Sequence, residues 1–124
     1  MNFNKDEVIG LLERLSNAKS PSGFEDETVA VVRDFCQGWA DVEENSLRDA
    51  LITPRGMCGN RPRVMLDAHG DEVGGMVKAI HANGTMSLVT LGRWPDGALT
   101  GQDVLVRNTR GEWLHGTIGV KPPH

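Results

Sequence analysis

Apolar positions near the start of the chain recur at intervals of three and four residues. This period places them on one face of a helix, which we predict over residues 4–18. Asn4 and Glu7 have the spacing of a capping box, in which each side chain binds the other residue's backbone N–H. The apolar residues of this pattern are Val8, Leu11, Leu12 and Leu15.

A second helical pattern follows a break that contains Pro21 and Gly23. Ser22 and Glu25 again have the capping-box spacing, and we expect them to open a helix that runs to about Trp39. The residues expected to face inward are Val29, Val32, Phe35, Cys36 and Trp39.

The pattern then changes to short extended runs. Two of them, near 41–45 and 47–53, precede a polar loop rich in Gly, Pro and Arg. Residues 63–68, which we call the apolar segment, are predicted to form a strand that is apolar on both faces. Such a strand usually lies in the middle of a covered sheet. Two helices, a hairpin and a central strand predict the start of an α/β sandwich.

Turn signals dominate the second half of the chain. Asn83-Gly84 lies between two strand-like stretches, which is a strong hairpin signal, and Arg110-Gly111 repeats the arrangement. No helical pattern occurs after residue 73, so this half is predicted to be a small all-β unit, a meander or partial barrel.

These patterns predict two domains. Residues 1–71 are expected to form part of an α/β domain, and residues 72–124 part of a β-rich domain.

Composition and charge narrow the class of protein. The chain has 124 residues, of which 39% are hydrophobic and 24% charged, and its net charge is -4. No run is long enough to cross a membrane, and no basic, phosphate-tracking surface is visible, so neither a membrane nor a nucleic acid is an expected partner. Without the pattern of a secretory signal, we expect a cytoplasmic protein in which Cys36 and Cys58 are reduced thiols.

Candidate chemistry lies directly after the apolar segment. In open α/β sheets, ligands bind beyond the carboxyl ends of the strands, where His69 falls. Imidazole is a common ligand for zinc and similar ions, and Asp71 is close enough in sequence to orient that ring. The residues alone also allow a simpler interpretation, in which His69 caps the strand and Asp71 and Glu72 are solvated loop residues.

Other residues fit a site less well. Asp71 and Glu72 are adjacent, so their side chains point to opposite faces of an extended chain, whereas the carboxylates of a glycosidase face each other across a sugar. His81 and His115 belong to predicted hairpins and are expected at the surface. His124 is the last residue and its role stays open.

Four segments resemble, in order and spacing, the M42 family of metallo-aminopeptidases. These enzymes are the tetrahedral aminopeptidases, often labelled glutamyl aminopeptidase or, misleadingly, endoglucanase or cellulase. The resemblance covers nearly the whole chain and implies hydrolysis of N-terminal residues from peptides. The segments are SPSGFEDE (20–27), VMLDAHGDEVGGMV (64–77), LVTLGRWPDGALTGQDVLV (88–106) and GTIGVKPPH (116–124).

The resemblance implies roles for the residues after the apolar segment. His69 matches the histidine that binds one of two catalytic divalent ions, zinc or cobalt. Asp71 matches the catalytic aspartate that supports the metal site. Glu72 lies in the same string but matches no ligand, and no further cofactor is implied.

The resemblance also implies an architecture and partners. The family's zinc-peptidase-like α/β sandwich is interrupted by a small all-β dimerisation domain, which begins near residue 72. Its dimers assemble into hollow dodecamers that trim peptides, so self-association is expected.

One departure from the family is visible in the predicted first hairpin. The family commonly has a Gly-Asn pair where this chain has Arg48-Asp49, and the missing glycine puts the geometry of that turn in question.

The family's remaining metal ligands and its general base have no counterpart in this chain. We therefore expect an N-terminal fragment that is inactive alone and binds at most one metal ion weakly. Two alternatives stay open: a non-catalytic dimerisation or binding module derived from such a peptidase, and a glycoside hydrolase.

Overall fold

The computed structural model describes residues 4–57, 62–95 and 97–120. It divides into two compact units, Met1–Gly92 and Arg93–His124. Cys58 and His124, for which expectations were stated, lie outside the described residues. The elements within them are α1 (Lys5–Asn17), α2 (Asp26–Cys36), β1 (Ala40–Glu44), β2 (Ala50–Pro54), β3 (Gly74–Ile80), β4 (Met86–Leu91), β5 (Asp103–Arg107) and β6 (Trp113–Thr117).

Helix α1 begins as the sequence predicts. The Asn4 side chain accepts a hydrogen bond from the Glu7 backbone N–H at 2.8 Å, and the Glu7 carboxylate accepts one from the Asn4 N–H at 3.0 Å. The capping box is therefore confirmed. The apolar face is only partly covered, because Leu11 and Leu15 are half-buried while Leu12 is exposed.

Helix α2 begins later and ends earlier than predicted. Its N-cap is Glu25, whose side chain makes no capping hydrogen bond, so the predicted Ser22–Glu25 capping box is wrong. The physical reason is competition, since the Ser22 hydroxyl donates to Asp71 and the Glu25 carboxylate accepts from the Gly23 N–H at 2.6 Å. The helix ends at Cys36, and Gly38 turns the chain with a φ of 88°.

The six strands form three separate antiparallel hairpins, β1–β2, β3–β4 and β5–β6. Gly84 and Gly111 both have a φ of 83° in the turns of the second and third hairpins, as the two turn signals predict. Among the described residues after Glu72 there is no helix, which confirms that expectation.

The apolar segment forms no strand with the described residues, so the predicted central strand is wrong for this chain. The side chains of Val64, Met65 and Leu66 are 83%, 80% and 92% exposed. A β-strand is defined by its backbone hydrogen bonds to a neighbouring strand. The described part of the chain supplies no neighbouring strand for the apolar segment.

The buried core of the described residues is small. Its members lie in α2 and in the chain shortly before and after this helix. Burial raises the pKa of the Cys36 thiol, which is free and stays protonated. The buried residues are Ala18, Ser20, Val29, Cys36 and Ala40.

At the level of class, helices and small antiparallel sheets occur together, consistent with part of an α/β fold. The predicted domain boundary between residues 71 and 72 stays a prediction. In the ranges that the structure describes, neither helix has the length and apolar character needed to span a membrane.

Candidate functional site

The candidate residues lie in a short stretch that is held against the chain before α2. Pro21 and Glu72 form an isolated parallel bridge between the two stretches. The Glu72 N–H donates to the Ser20 carbonyl at 2.8 Å, and the Ser20 N–H donates to the Glu72 carboxylate at 3.1 Å. Glu72 thus binds one residue, Ser20, through both its backbone and its side chain, and this fixes the position of its neighbour Asp71.

Ser20 is itself fixed to the start of α2. Its side chain is buried, its hydroxyl lies 2.5 Å from the Thr28 hydroxyl oxygen, and it accepts a hydrogen bond from the Thr28 N–H at 3.2 Å. The Ser20 oxygen therefore satisfies one of the backbone donors that a helix leaves free in its first turn. The stretch around Ser20 consequently has a fixed position on α2.

Glycines allow the two stretches to approach closely. A Cβ atom added at Gly74 would lie 2.6 Å from the Pro21 Cβ, which is too close for two carbon atoms. A Cβ at Gly70 would lie 3.4 Å from the Thr28 Cγ2, an ordinary contact. Gly74 is therefore the position at which a side chain is excluded by packing.

His69 and Asp71 lie in contact with each other. The His69 Nδ1 lies 3.1 Å from the Asp71 Oδ1 and 3.0 Å from the Asp71 carbonyl oxygen. A carboxylate and a carbonyl only accept hydrogen bonds, so Nδ1 must carry the proton. In the neutral ring the lone pair is then on Nε2, the nitrogen with which such an imidazole binds a metal ion.

The two side chains differ in exposure. That of His69 is 86% exposed, whereas that of Asp71 is 37% exposed. The imidazole can therefore be reached from solution, while the carboxylate that holds it is partly enclosed.

The second oxygen of Asp71 accepts a hydrogen bond from the Ser22 hydroxyl. This bond is the largest influence on the carboxyl group and lowers its pKa, with a further lowering from His69 and an opposing effect of desolvation. Asp71 is thus held as a carboxylate, with one oxygen on Ser22 and the other on His69.

The chemistry of these groups can be compared with what a metal ion requires. A zinc site commonly has about four ligands, three or four of them from the protein. Within residues 4–57, 62–95 and 97–120, no three His, Cys, Asp or Glu side chains are grouped so that they could hold an ion. These residues therefore fit one ligand with its supporting carboxylate rather than a complete centre. The roles predicted for His69 and Asp71 stay predictions.

The other predicted residues lie apart from this cluster. His81 and His115 are exposed, as expected. The His81 Nε2 lies 2.6 Å from the Ser87 hydroxyl, a contact within the β3–β4 hairpin.

The sequence pattern indicates neither the contact of Glu72 with Ser20 nor that of Asp71 with Ser22. The local pattern predicts a helix cap at Ser22 and no ligand role for Glu72. Their contacts join residues 49 and 52 positions apart, and no local pattern reports contacts over such separations.

Comparison with known proteins points to a single family. Residues 50–124 match the family model described as M42 glutamyl aminopeptidase. The chain is 32% identical over 123 residues to the glutamyl aminopeptidase of Lactococcus lactis subsp. cremoris (strain MG1363), a match that covers 95% of this chain and 34% of that protein.

Solved structures give the same result. A TET aminopeptidase from a marine sediment archaeon of the Thaumarchaeota matches with a TM-score of 0.87 and 36% identity, over 98% of this chain and 34% of that one. The TET1 peptidase of Pyrococcus horikoshii, which can assemble into a tetrahedron or a large octahedral shell, matches with a TM-score of 0.78 and 25% identity, over 94% of this chain and 34% of that one. The chain spans about a third of the length of these relatives.

Proposed function

The chain belongs to the M42 glutamyl aminopeptidase family, and from this membership we propose that it is the N-terminal part of a metal-dependent aminopeptidase. The longer protein would remove N-terminal residues from peptides. The observation that carries this proposal for the site is the imidazole of His69, whose Nδ1 is held by Asp71 so that Nε2 is the nitrogen left to bind a metal ion.

In this proposal His69 binds one of two divalent ions, zinc or cobalt, and Asp71 orients the ring and balances its charge. Ions bound there would polarise the peptide carbonyl and activate a water molecule. One imidazole cannot hold an ion tightly, so other ligands would have to come from elsewhere in the longer protein. The high exposure of the His69 side chain supports this proposal, because it leaves room for those ligands beside the ring. Alone, the 124-residue chain is expected to be inactive and to bind at most one ion weakly.

The proposal extends to architecture and assembly. Residues 1–71 would belong to a zinc-peptidase-like α/β sandwich, and residues 72–124 to a β-rich domain through which two copies associate. Assembly into dimers and then a dodecamer is supported by the shells formed by the Pyrococcus horikoshii relative. We also propose that the protein is cytoplasmic.

The test uses the full-length protein that contains this chain. We expect hydrolysis of aminoacyl-p-nitroanilides that is lost on chelation and restored by zinc or cobalt. His69→Ala should lower activity at least a hundredfold, because a metal ligand is lost. His81→Ala is the matched control, since it removes an exposed imidazole of the β3–β4 hairpin, and it should leave activity unchanged.

Two results would contradict the proposal. One is cleavage of cellulosic substrates without peptidase activity, which would favour the glycoside hydrolase. The other is a full-length protein that forms dimers but hydrolyses neither substrate, which would favour the non-catalytic module.

A further inference from the structure

We propose that Ser22 is a positioning residue for the metal site, acting through Asp71 on the imidazole of His69. Its hydroxyl holds one oxygen of the Asp71 carboxylate, and the other oxygen is thereby directed to the His69 Nδ1. The inference rests on the proposed function, because only that function implies a metal ion for the His69 ring to bind.

A single contact leaves the Asp71 carboxylate free to turn. The last torsion of an aspartate side chain is broad and roughly two-fold, so a carboxylate held at only one oxygen can swing away from a ring. Contacts at both oxygens define the plane of the group. Ser22 supplies the second contact, from a residue 49 positions earlier in the chain.

The backbone that carries the Ser22 hydroxyl is itself fixed. Pro21 is bridged to Glu72, and the Phe24 N–H donates to the Pro21 carbonyl at 2.8 Å, which closes a turn around Ser22. Gly23 within that turn has a φ of 84°, a conformation that favours glycine. The hydroxyl is therefore presented to Asp71 by a rigid turn, and little ordering is required when the bond forms.

The Ser22 hydroxyl is not needed to join the two stretches of chain. Glu72 already binds Ser20 through two hydrogen bonds, and Pro21 packs against Gly74. Loss of the hydroxyl should therefore leave these stretches together and change mainly the orientation of the carboxylate. This separates a positioning role from a structural one.

The experiment uses the full-length protein, prepared without metal and titrated with Co²⁺. We expect Ser22→Ala to weaken Co²⁺ binding about tenfold to a hundredfold, the range found when supporting residues of metal ligands are lost. The visible absorption bands of bound Co²⁺ should shift, because they report ligand geometry. The value of kcat should fall while KM changes little. Ser22→Thr, which keeps the hydroxyl, should restore binding, bands and kcat to within about threefold of the parent protein.

Ser87→Ala is the matched control, because it removes a serine hydroxyl that also contacts a histidine, His81, in the β3–β4 hairpin. It should leave Co²⁺ binding and the absorption bands unchanged. Should Ser22→Ala lower thermal stability so far that it fails to fold, Ser22→Val takes its place, because valine has nearly the shape of threonine but no hydroxyl. Ser22→Val should then weaken Co²⁺ binding relative to Ser22→Thr, and equal binding by these two variants would overturn the role of the hydroxyl.

The outcomes separate this inference from the proposed function. An active parent protein whose Co²⁺ affinity, bands and kcat are the same in Ser22→Ala would overturn the role of Ser22 alone. A threonine variant that loses as much as the alanine variant would also overturn it. A parent protein that binds Co²⁺ in a Ser22-dependent manner but hydrolyses no peptide would overturn only the proposed function.

Discussion

The β3–β4 hairpin and the apolar segment are near neighbours in the sequence, and both carry apolar residues typical of strands. The hairpin pairs from Gly74↔Leu91 to Ile80↔Met86, whereas residues 63–68 pair with none of the described residues. The difference is the distance to the partner strand. Strand β3 meets β4 across a five-residue turn, while a two-faced apolar strand requires neighbours on both sides, which arrive from remote parts of a chain.

An exposed apolar segment can therefore mark the position where further strands add to a sheet. Leu66 is 92% exposed, and its burial would stabilise a folded protein by about 1.5–3 kcal/mol. On the proposed architecture, the rest of the longer protein covers this segment and so brings other metal ligands beside His69.

The largest expected effect is that of Leu66→Ala measured in two contexts. In the isolated chain the change in the free energy of unfolding should be within about 0.5 kcal/mol, because the side chain is already exposed. In the full-length protein it should lower that free energy by about 2–5 kcal/mol, as for other buried leucines. Chemical denaturation of both proteins measures the difference. Equal effects in the two contexts would show that the apolar segment gains no partners.

Hydrogen exchange should distinguish the two regions within the isolated chain. We expect the ladder amides of β3 and β4 to exchange at least about tenfold more slowly than those of the apolar segment, a ratio that corresponds to about 1.4 kcal/mol. Amides of β5 and β6 provide a control, since they form a second hairpin of the same kind. Equal amide exchange rates in the β3–β4 hairpin and the apolar segment would contradict the view that only the hairpin is protected by strand pairing.

The parts of the fold that sequence reasoning predicted are those that local chemistry specifies. Asn4 and Glu7 are three residues apart, and the Asn83-Gly84 turn joins strands that follow one another. The Ser22–Glu25 prediction failed because a remote carboxylate, Asp71, captured the serine. The capping-box rule considers only residues three positions apart, so it cannot account for a competing hydrogen bond to Asp71.

The contacts of the candidate site are likewise of two kinds, those between residues close in sequence and those between residues far apart. The proximity of His69 and Asp71 follows from a spacing of two residues, and the sequence anticipates it. The contacts of Ser22 with Asp71 and of Ser20 with Glu72 depend on the path of the chain between them, so no local sequence pattern indicates them.

Two glycines, Gly84 in the turn of the β3–β4 hairpin and Gly70 two residues after the apolar segment, allow a test of backbone conformation. Gly84 has a φ of 83° and nothing lies within 4 Å of an added Cβ, so Gly84→Ala should lower the free energy of unfolding by about 1 kcal/mol through the backbone alone. Gly70 precedes Asp71 and has no positive φ, so Gly70→Ala should be neutral or stabilise slightly. Urea denaturation of both variants measures this. A Gly70 variant that loses more stability than the Gly84 variant would contradict the expectation that the positive φ of Gly84 sets the cost.

The smallest net effect is expected in the β1–β2 hairpin, where Arg48 stands at the position for which the family resemblance implies a glycine. Its φ of 68° is unfavourable for a residue with a side chain, so the turn adopts this conformation at an energetic cost. Ion pairs of Arg48 with Glu44 and with Asp26 at the start of α2 offset part of that cost.

Two substitutions at this position separate the backbone from the ion pairs. Arg48→Gly removes the strain and both ion pairs, each worth about 0.2–1 kcal/mol, so the net change should be within about 0.5 kcal/mol. Arg48→Ala removes the ion pairs but keeps the strain, so it should be less stable than the glycine variant by about 1 kcal/mol. Urea denaturation gives both values. If the two variants were equally stable, the positive φ of Arg48 would carry no energetic cost, and only the loss of the ion pairs would account for a change in stability.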